Sequence, residues 1–483
     1  MRVQLTVGFD LDLTLIDPRP AVVAVAEQIA SEEQVEIDAQ LWASRLGPPL
    51  EQELAHWVAP DRVEPAAARY RVLMAEQANL ISLLPGAFDA VAAVRASGGR
   101  AVVVTAKSEV LARQALDALG LEVDAVVGWH WAEKKAEALR AHGATVYVGD
   151  HPGDVRAARA ADALCVGVLT GGEPPVGADV LLDDLTAFPA WLADHLLDRR
   201  LAALEAALQD TGGLLVAFSG GADSAFLLAA AVRALGPSNV VAATAVSASL
   251  AAAELPAARA FADALGVRHV TPQTDELSRE GYVANGADRC FHCKATLLDT
   301  LRPLAERLGL SAVATGTNAD DAVAGFRPGI SAAAERGART PLLDAGLTKA
   351  QVREASRRWG LVTADKPAMA CLASRIAYGI QVTPRGLARV DRAERALRAH
   401  LGQVQDLRVR DLGEGAARVE LDAQALAGWD EAAAGVVRAE GFVQVAVREF
   451  RSGSMNDALA TTGAAAGAGA AQQPQQGQAE PHR

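Results

Sequence analysis

The stretch "LLVAFSGGADSAFLLAAAV", residues 214–232, passes from a buried strand through a glycine loop into an apolar helix. Gly220 and Gly221 let the backbone close on an anion, and the start of the helix directs N–H groups at the same point. Ser219 and Ser224 add hydroxyl donors, and Asp223 stands beside them in the loop. The lysine of a GxxxxGK[ST] loop is missing, which speaks against a γ-phosphate transferase. A bare glycine turn is the plainer alternative, but SGGxDS directly after a buried strand weighs against it. Two further strands follow, "VVAATAV" (240–246) and "SAVATGTNADD" (311–321), so an α/β domain begins near residue 198.

Working outward, the preceding "LADHLLDRRLAALEAALQDTGG" (192–213) reads as a helical connector. Before it, "QLTVGFDLD", "RAVVVTAKS" and "ATVYVGDHPGD" read as buried parallel strands with polar residues at their C-terminal ends. The expected fold is therefore α/β, with two Rossmann-like parallel-sheet domains and a small C-terminal α+β module. The first domain spans 1–195, with a mainly helical stretch at about 18–85 that could form an inserted cap. The second spans 198–373. In 374–455 the helix "PRGLARVDRAERALRAHL" and the strands "DLRVRDLG" and "ARVELDA" form the small module. Residues 456–483, rich in Ala, Gly and Gln, lack apolar periodicity and are expected to be disordered.

Composition sets limits on function. A chain of 483 residues exceeds one ordinary core. A net charge of -13 argues against a nucleic-acid partner, which would need a basic surface to displace phosphate counterions. A nucleotide substrate is still allowed, because local basic residues can hold a phosphate. No apolar run reaches the roughly 18 residues of a membrane span, and the N-terminus enters a strand at once without a leader pattern. Four cysteines in this length are not a disulfide framework. The expectation is a cytoplasmic protein without a membrane partner, whose cysteines are thiols or metal ligands. Two of them sit as CxxC in "DRCFHCKATLLDTL" (288–301), a spacing open to a redox pair, half a zinc site or part of an iron–sulfur site.

In the first domain Asp10 and Asp12 stand two apart at a strand end, and such a pair can supply a nucleophile and a general acid/base. Alone, the pair is better read as solvated acids at a turn. Thr105 closes a second strand, Lys134 and Lys135 follow, and Asp150 and Asp154 close a third. Together these are the parts that attack and neutralise a phosphoryl group. The ordered set resembles the four motifs of the haloacid dehalogenase-like phosphatases. The resemblance implies Asp10 as the phosphoryl-accepting nucleophile, Asp12 as acid/base, and Thr105 with Lys135 as phosphate ligands. Lys135 is preferred to Lys134 for its spacing to Leu139. Magnesium would be held by Asp10, Asp12, Asp150 and Asp154. An inactive relative is the alternative.

The glycine loop resembles that of the PP-loop ATP pyrophosphatases, which adenylate an oxygen and release pyrophosphate. Ser219, Gly220, Gly221, Asp223 and Ser224 would then bind ATP. No glutamine-hydrolysing domain is visible, while Cys290, Cys293 and Cys371 lie in the same domain, which points to sulfur. "DRCFHCK", "GTNADD", "FRPG", "RTPLLDAGLTKAQVREASRRWGL", "DKPAMACLASRIAYG" and "LRVRDLG" occur in that order. Over about 198–455 they resemble the LarE-like sulfur transferases, which adenylate a carboxylate of pyridinium-3,5-biscarboxylate mononucleotide and convert it to a thiocarboxylate for a nickel-pincer nucleotide cofactor. By that resemblance Cys371 is catalytic, either giving up its own sulfur or joining Cys290 and Cys293 around a [4Fe-4S] cluster. Arg375, Arg408, Arg410 and Glu394 would bind substrate, and a homo-oligomer is implied. The sulfur donor and the phosphatase substrate are not indicated. A zinc site with His292, in an amidating ligase or a tRNA-thiolating enzyme, is the competing reading.

Overall fold

The computed structural model describes residues 5–323, 328–367 and 370–451. The expected disordered stretch 456–483 lies outside them, as do Phe326 and Arg327 of "FRPG" and Ala368 and Met369 before Cys371. The chain divides into two compact units, Met1–Leu196 and Leu197–Arg483.

Six parallel strands make the sheet of the first unit: β1 Thr6–Phe9, β2 Arg100–Val104, β3 Ala125–Val127, β4 Val146–Gly149, β5 Leu164–Val168 and β6 Val180–Leu182. Their spatial order is β3-β2-β1-β4-β5-β6. Valine-rich strands of this kind, buried on both faces, suit a parallel sheet covered by helices. β1 sits between β2 and β4, pairing Val7 with Ala101 on one side and with Val146 on the other. The order changes direction there, and ligands of open α/β sheets gather at such a point beyond the strand ends. Between β1 and β2 lie the helices α1 Arg19–Glu33, α2 Ala39–Ser44, α3 Leu50–Leu54 and α4 Val63–Glu76. A two-residue antiparallel ribbon, Ile16–Asp17 against Ser82–Leu83, ties off the base of this helical insertion. Helices α5 Lys135–Ala141 and α6 Pro152–Ala160 flank β4. Asp154 completes a capping box at the start of α6, which fixes its side chain beside the strand end.

In the second unit β7 Leu214–Ala217, β8 Val240–Ala243, β9 Arg268–Val270 and β10 Ala312–Thr315 form a parallel sheet in the order β9-β8-β7-β10. The glycine loop follows β7 and leads into α7 Ala222–Leu235, whose N-terminus has no side-chain cap. The CxxC begins α8 Arg289–Arg307. Past Cys371 come a short 3₁₀ turn, Leu372–Arg375, and α9 Pro384–Leu401, capped by Thr383, whose hydroxyl accepts from Gly386 N–H. The last sheet has three strands rather than two: β11 Leu407–Asp411, β12 Ala416–Leu421 and β13 Gln444–Glu449. β12 pairs antiparallel with β11 and parallel with β13. Among the described residues no helix is long and apolar enough to cross a membrane.

Candidate active sites

The ends of β1, β2 and β4 carry the acidic site of the first unit. Asp10, Asp150 and Asp154 are all buried, and their ligand oxygens lie within 4.8 Å of one another. Lys135, also buried, reaches Asp10 Oδ1 at 2.9 Å and Asp154 Oδ1 at 2.7 Å, and donates to the Tyr147 hydroxyl at 2.8 Å. Thr14 Oγ1 donates to Asp150 Oδ1 at 2.8 Å. Three carboxylates thus face one ammonium away from water. Burial pushes Asp10 up to about 7, with Lys135 opposing and Asp154 adding to the rise. Burial, then Asp154 and Asp10, raise Asp150 well above the carboxylate range. Burial opposes the charge of Lys135, yet Asp10 and Asp154 hold its pKa above that of an ordinary lysine.

This donor set fits a hard divalent cation. It is all oxygen, it is short of positive charge, and Asp10 Oδ1 meets Lys135 as an ion pair without an aligned hydrogen bond. Asp12, expected among the magnesium ligands, stands outside the three-acid cluster, and its carboxylate pairs with Lys107 at 3.0 Å. Asp154 is largely committed to Lys135, Tyr147 and the His151 N–H. Thr105 is buried and accepts from the Lys107 N–H at 3.2 Å. A cavity of about 160 Å³ opens over Asp10, Asp12 and Thr105, roofed by the helical insertion. Thr14, Lys107 and Tyr147 were not singled out beforehand. Lys107 and Tyr147 lie inside quoted stretches and Thr14 two residues past Asp12, but only the folded geometry shows which acid each meets.

The glycine loop of the second unit is drawn together by its own hydroxyls. Ser219 and Ser224 Oγ atoms lie 3.1 Å apart, the Ser219 N–H donates to Ser224 Oγ at 3.3 Å, and Ser224 Oγ donates to Gly221 O at 3.1 Å. Gly220 has φ +75°, which a side chain would resist. Its carbonyl accepts from Lys366 Nζ at 3.0 Å, and Lys366 pairs with Glu254 at 2.8 Å. The end of β10 packs against the loop: a Cβ added at Gly316 would come within 2.8 Å of Ser224 N. Asn318 donates to Asp223 Oδ1 at 3.1 Å. Burial nevertheless raises the Asp223 pKa.

The three cysteines come from two segments. Cys290 and Cys371 are exposed and Cys293 is half-buried. Burial and then the neighbouring Cys371 push the Cys293 thiol up to about 12. The segments are stitched together by Asn285 and Arg289. The Asn285 amide donates to Ala377 O and Ile380 O at 2.8 Å each. Arg289 donates to Asn285 Oδ1 and to Ala373 O, the latter at 3.0 Å. Among the described residues only the aspartate trio gathers its ligand atoms within 4.8 Å, so the cysteines are not closed around a single ion. A four-coordinate zinc site would need that closeness. His292, the candidate fourth zinc ligand, pairs with Asp288 at 3.1 Å. Three thiols are soft donors, a set that zinc and iron–sulfur groups share.

Arg375 departs from expectation. It is wholly buried, and its Nε donates to Glu394 Oε1 at 2.8 Å and Nη2 to Oε2 at 3.2 Å. Its Nη1 donates to the carbonyls of Ala370 and Cys371. Its guanidinium is therefore spent on Glu394 and on the Cys371 backbone rather than offered to substrate. Glu394 also accepts from Val409 N–H at 3.0 Å. Arg410 binds the buried Glu420 at 2.8 and 2.9 Å and donates to Ser374 O at 3.0 Å. Burial and then Arg375 lower Arg408 to about 10.

A family model for haloacid dehalogenase-like hydrolase matches residues 7–168. The chain is 34% identical over 268 residues to the pyridinium-3,5-bisthiocarboxylic acid mononucleotide synthase of Lactiplantibacillus plantarum, a match spanning 54% of this chain and 96% of that protein. It is 44% identical over 226 residues to the uncharacterized protein slr1717 of Synechocystis sp., covering 47% of this chain and 82% of that one. Among solved structures, the haloacid dehalogenase-like protein SP0104 of Streptococcus pneumoniae is similar with a TM-score of 0.36 and 21% identity, over 40% of this chain and 99% of that chain.

Proposed function

The chain belongs to the family of pyridinium-3,5-bisthiocarboxylic acid mononucleotide synthases, the LarE-like sulfur transferases, and carries a haloacid dehalogenase-like unit ahead of that region; from this we propose that it unites an ATP-dependent carboxylate sulfuration with a magnesium-dependent phosphohydrolase. The observation that carries the first part is the uncapped start of α7 behind the Ser219–Ser224 loop, with Asn318 and Asp223 alongside. N–H groups at a helix start neutralise the phosphates of ATP. A carboxylate oxygen of the mononucleotide attacks the α-phosphorus, and pyrophosphate leaves. Sulfur then attacks the acyl carbon, the bond to the AMP oxygen breaks, and a thiocarboxylate remains. Cys290, Cys293 and Cys371 would hold the cluster, which would supply the sulfide for this attack. Arg375 and Glu394 keep the Cys371 backbone in place.

In the first unit the Asp10 carboxylate attacks phosphorus, the ester bond breaks, and Asp12 gives its proton to the departing alcohol. The phosphoaspartate is then hydrolysed. Lys135 holds Asp10 in position, and Thr105 and Lys107 stand at the cavity floor to meet the phosphate. Magnesium, held by Asp10 and Asp150 with Asp154 beside them, would neutralise the transferring phosphoryl group.

Pyrophosphate release tests the ATP site. Ser219→Ala and Asp223→Asn should each lower it at least tenfold. Cys371→Ala should keep releasing pyrophosphate while forming no thiocarboxylate. Wild-type pyrophosphate release from both loop variants would remove the ATP site from this loop.

A further inference from the structure

Only 4% of the chain is aromatic, yet three of its seven tryptophans, Trp42, Trp129 and Trp131, line the cavity above Asp10, together with Tyr70. Three of the four have ordinary packing roles. Trp42 and Tyr70 are buried and stack on each other, with centroids 5.6 Å apart and planes 11° apart. Trp131 packs against His151 at 5.1 Å, and the insertion loop at Gly47 covers it.

Trp129 has no such explanation. It is 58% exposed, and it belongs to no core. Its φ is +63°, a conformation that a bulky residue adopts at a cost and that clusters at binding sites. The loop is held there by hydrogen bonds that tie it to the acidic site. Trp129 N–H donates to Lys107 O at 3.0 Å, while Lys107 Nζ pairs with Asp12 at 3.0 Å. From the insertion, Arg71 lies 4.9 Å over the indole and is itself held by Glu51. More than half of the residue's surface remains open even so. An apolar plane lining a phosphate-handling cavity is a surface on which an aromatic ligand can stack. A short aliphatic phosphate would leave it unused.

We infer that this cavity takes a phosphomonoester whose alcohol carries a flat aromatic ring, of the nucleoside monophosphate kind, with the ring lying against Trp129. The phosphate end of such a ligand meets Asp10, Thr105 and Lys107, and the ring end meets the indole and the Arg71 guanidinium. The inference rests on the phosphohydrolase reading for its chemistry, though not for the binding preference.

The test uses the full chain with magnesium and three esters that share one phosphoribose: AMP, nicotinic acid mononucleotide and ribose 5-phosphate. Their kcat/KM values are compared in the wild type, Trp129→Ala and Trp129→Phe. Stacking of one base on an aromatic side chain is worth about tenfold or more, so at least one ring-bearing ester should lead ribose 5-phosphate by that factor. Trp129→Ala should bring the ratio close to one, and Trp129→Phe should keep most of it. Calorimetric binding of the same esters to Asp10→Asn reads the preference without turnover. Ring-bearing and ringless esters bound and hydrolysed alike would overturn the inference and leave the phosphohydrolase standing. Ring-selective binding with no hydrolysis of any ester would uphold the site and remove the hydrolase instead.

Discussion

Asp10 is the residue at which charge and stability pull apart. Its carboxyl is raised to about 7, so between about pH 4 and 7 the folded chain holds a proton there that the unfolded chain has lost. Stability without metal must then fall as pH rises through that window. Asp10→Asn, an uncharged mimic, should melt higher than the wild type at about pH 8 in chelator, by on the order of 1–4 kcal/mol, and about equally near pH 4. The same variant should have no phosphatase activity. Lys135→Met is the converse case. It leaves three buried carboxylates without their ammonium and should cost the first unit about 3–5 kcal/mol in urea titrations, partly restored by magnesium. These residues were named from the ordered set of four motifs rather than from any one pair, and the fold brings Asp10, Asp150, Asp154 and Lys135 together. Their pairing could not be read from the sequence. Nothing in "VVVTAKS" says that Lys107 turns to Asp12, and nothing in "ACLASR" says that the Arg375 guanidinium folds back on its own backbone.

At the scale of elements, the valine-rich strands were plain from sequence, because burial on both faces leaves an unbroken apolar run. The strand Gln444–Glu449 was not. It lies at a sheet edge with alternating partial exposure, and its composition, QVAVRE, carries little apolar signal. The junction between the start of α8 and the Cys371 segment was equally hidden, since it depends on Asn285, which is wholly buried with φ +57°. Asn285→Gly keeps that backbone conformation and removes the amide that donates to the carbonyls of Ala377 and Ile380. The variant should lower thiocarboxylate formation by about tenfold or more while pyrophosphate release falls less than about threefold. Equal losses in both readouts would mean that Asn285 serves general stability, not the spacing of the thiols. Arg289→Lys, which keeps the charge but loses the placed Nη1 that donates to both Asn285 and Ala373, should behave in the same way.

For the whole molecule, the two units Met1–Leu196 and Leu197–Arg483 each contain all the residues that their proposed chemistry requires. Asp10→Asn should therefore leave sulfuration at the wild-type rate, and Cys371→Ala should leave phosphatase activity intact. The central claim is the sulfuration itself, and mass spectrometry of the nucleotide product tests it most directly. Full-length protein, purified without oxygen, would be incubated with ATP, magnesium, a sulfide source and pyridinium-3,5-biscarboxylate mononucleotide. The mass should shift by replacement of a carboxylate oxygen with sulfur, in step with AMP and pyrophosphate, and the shift should vanish in Cys371→Ala. A nucleotide recovered unchanged, or amidated when ammonia is supplied, would contradict the account.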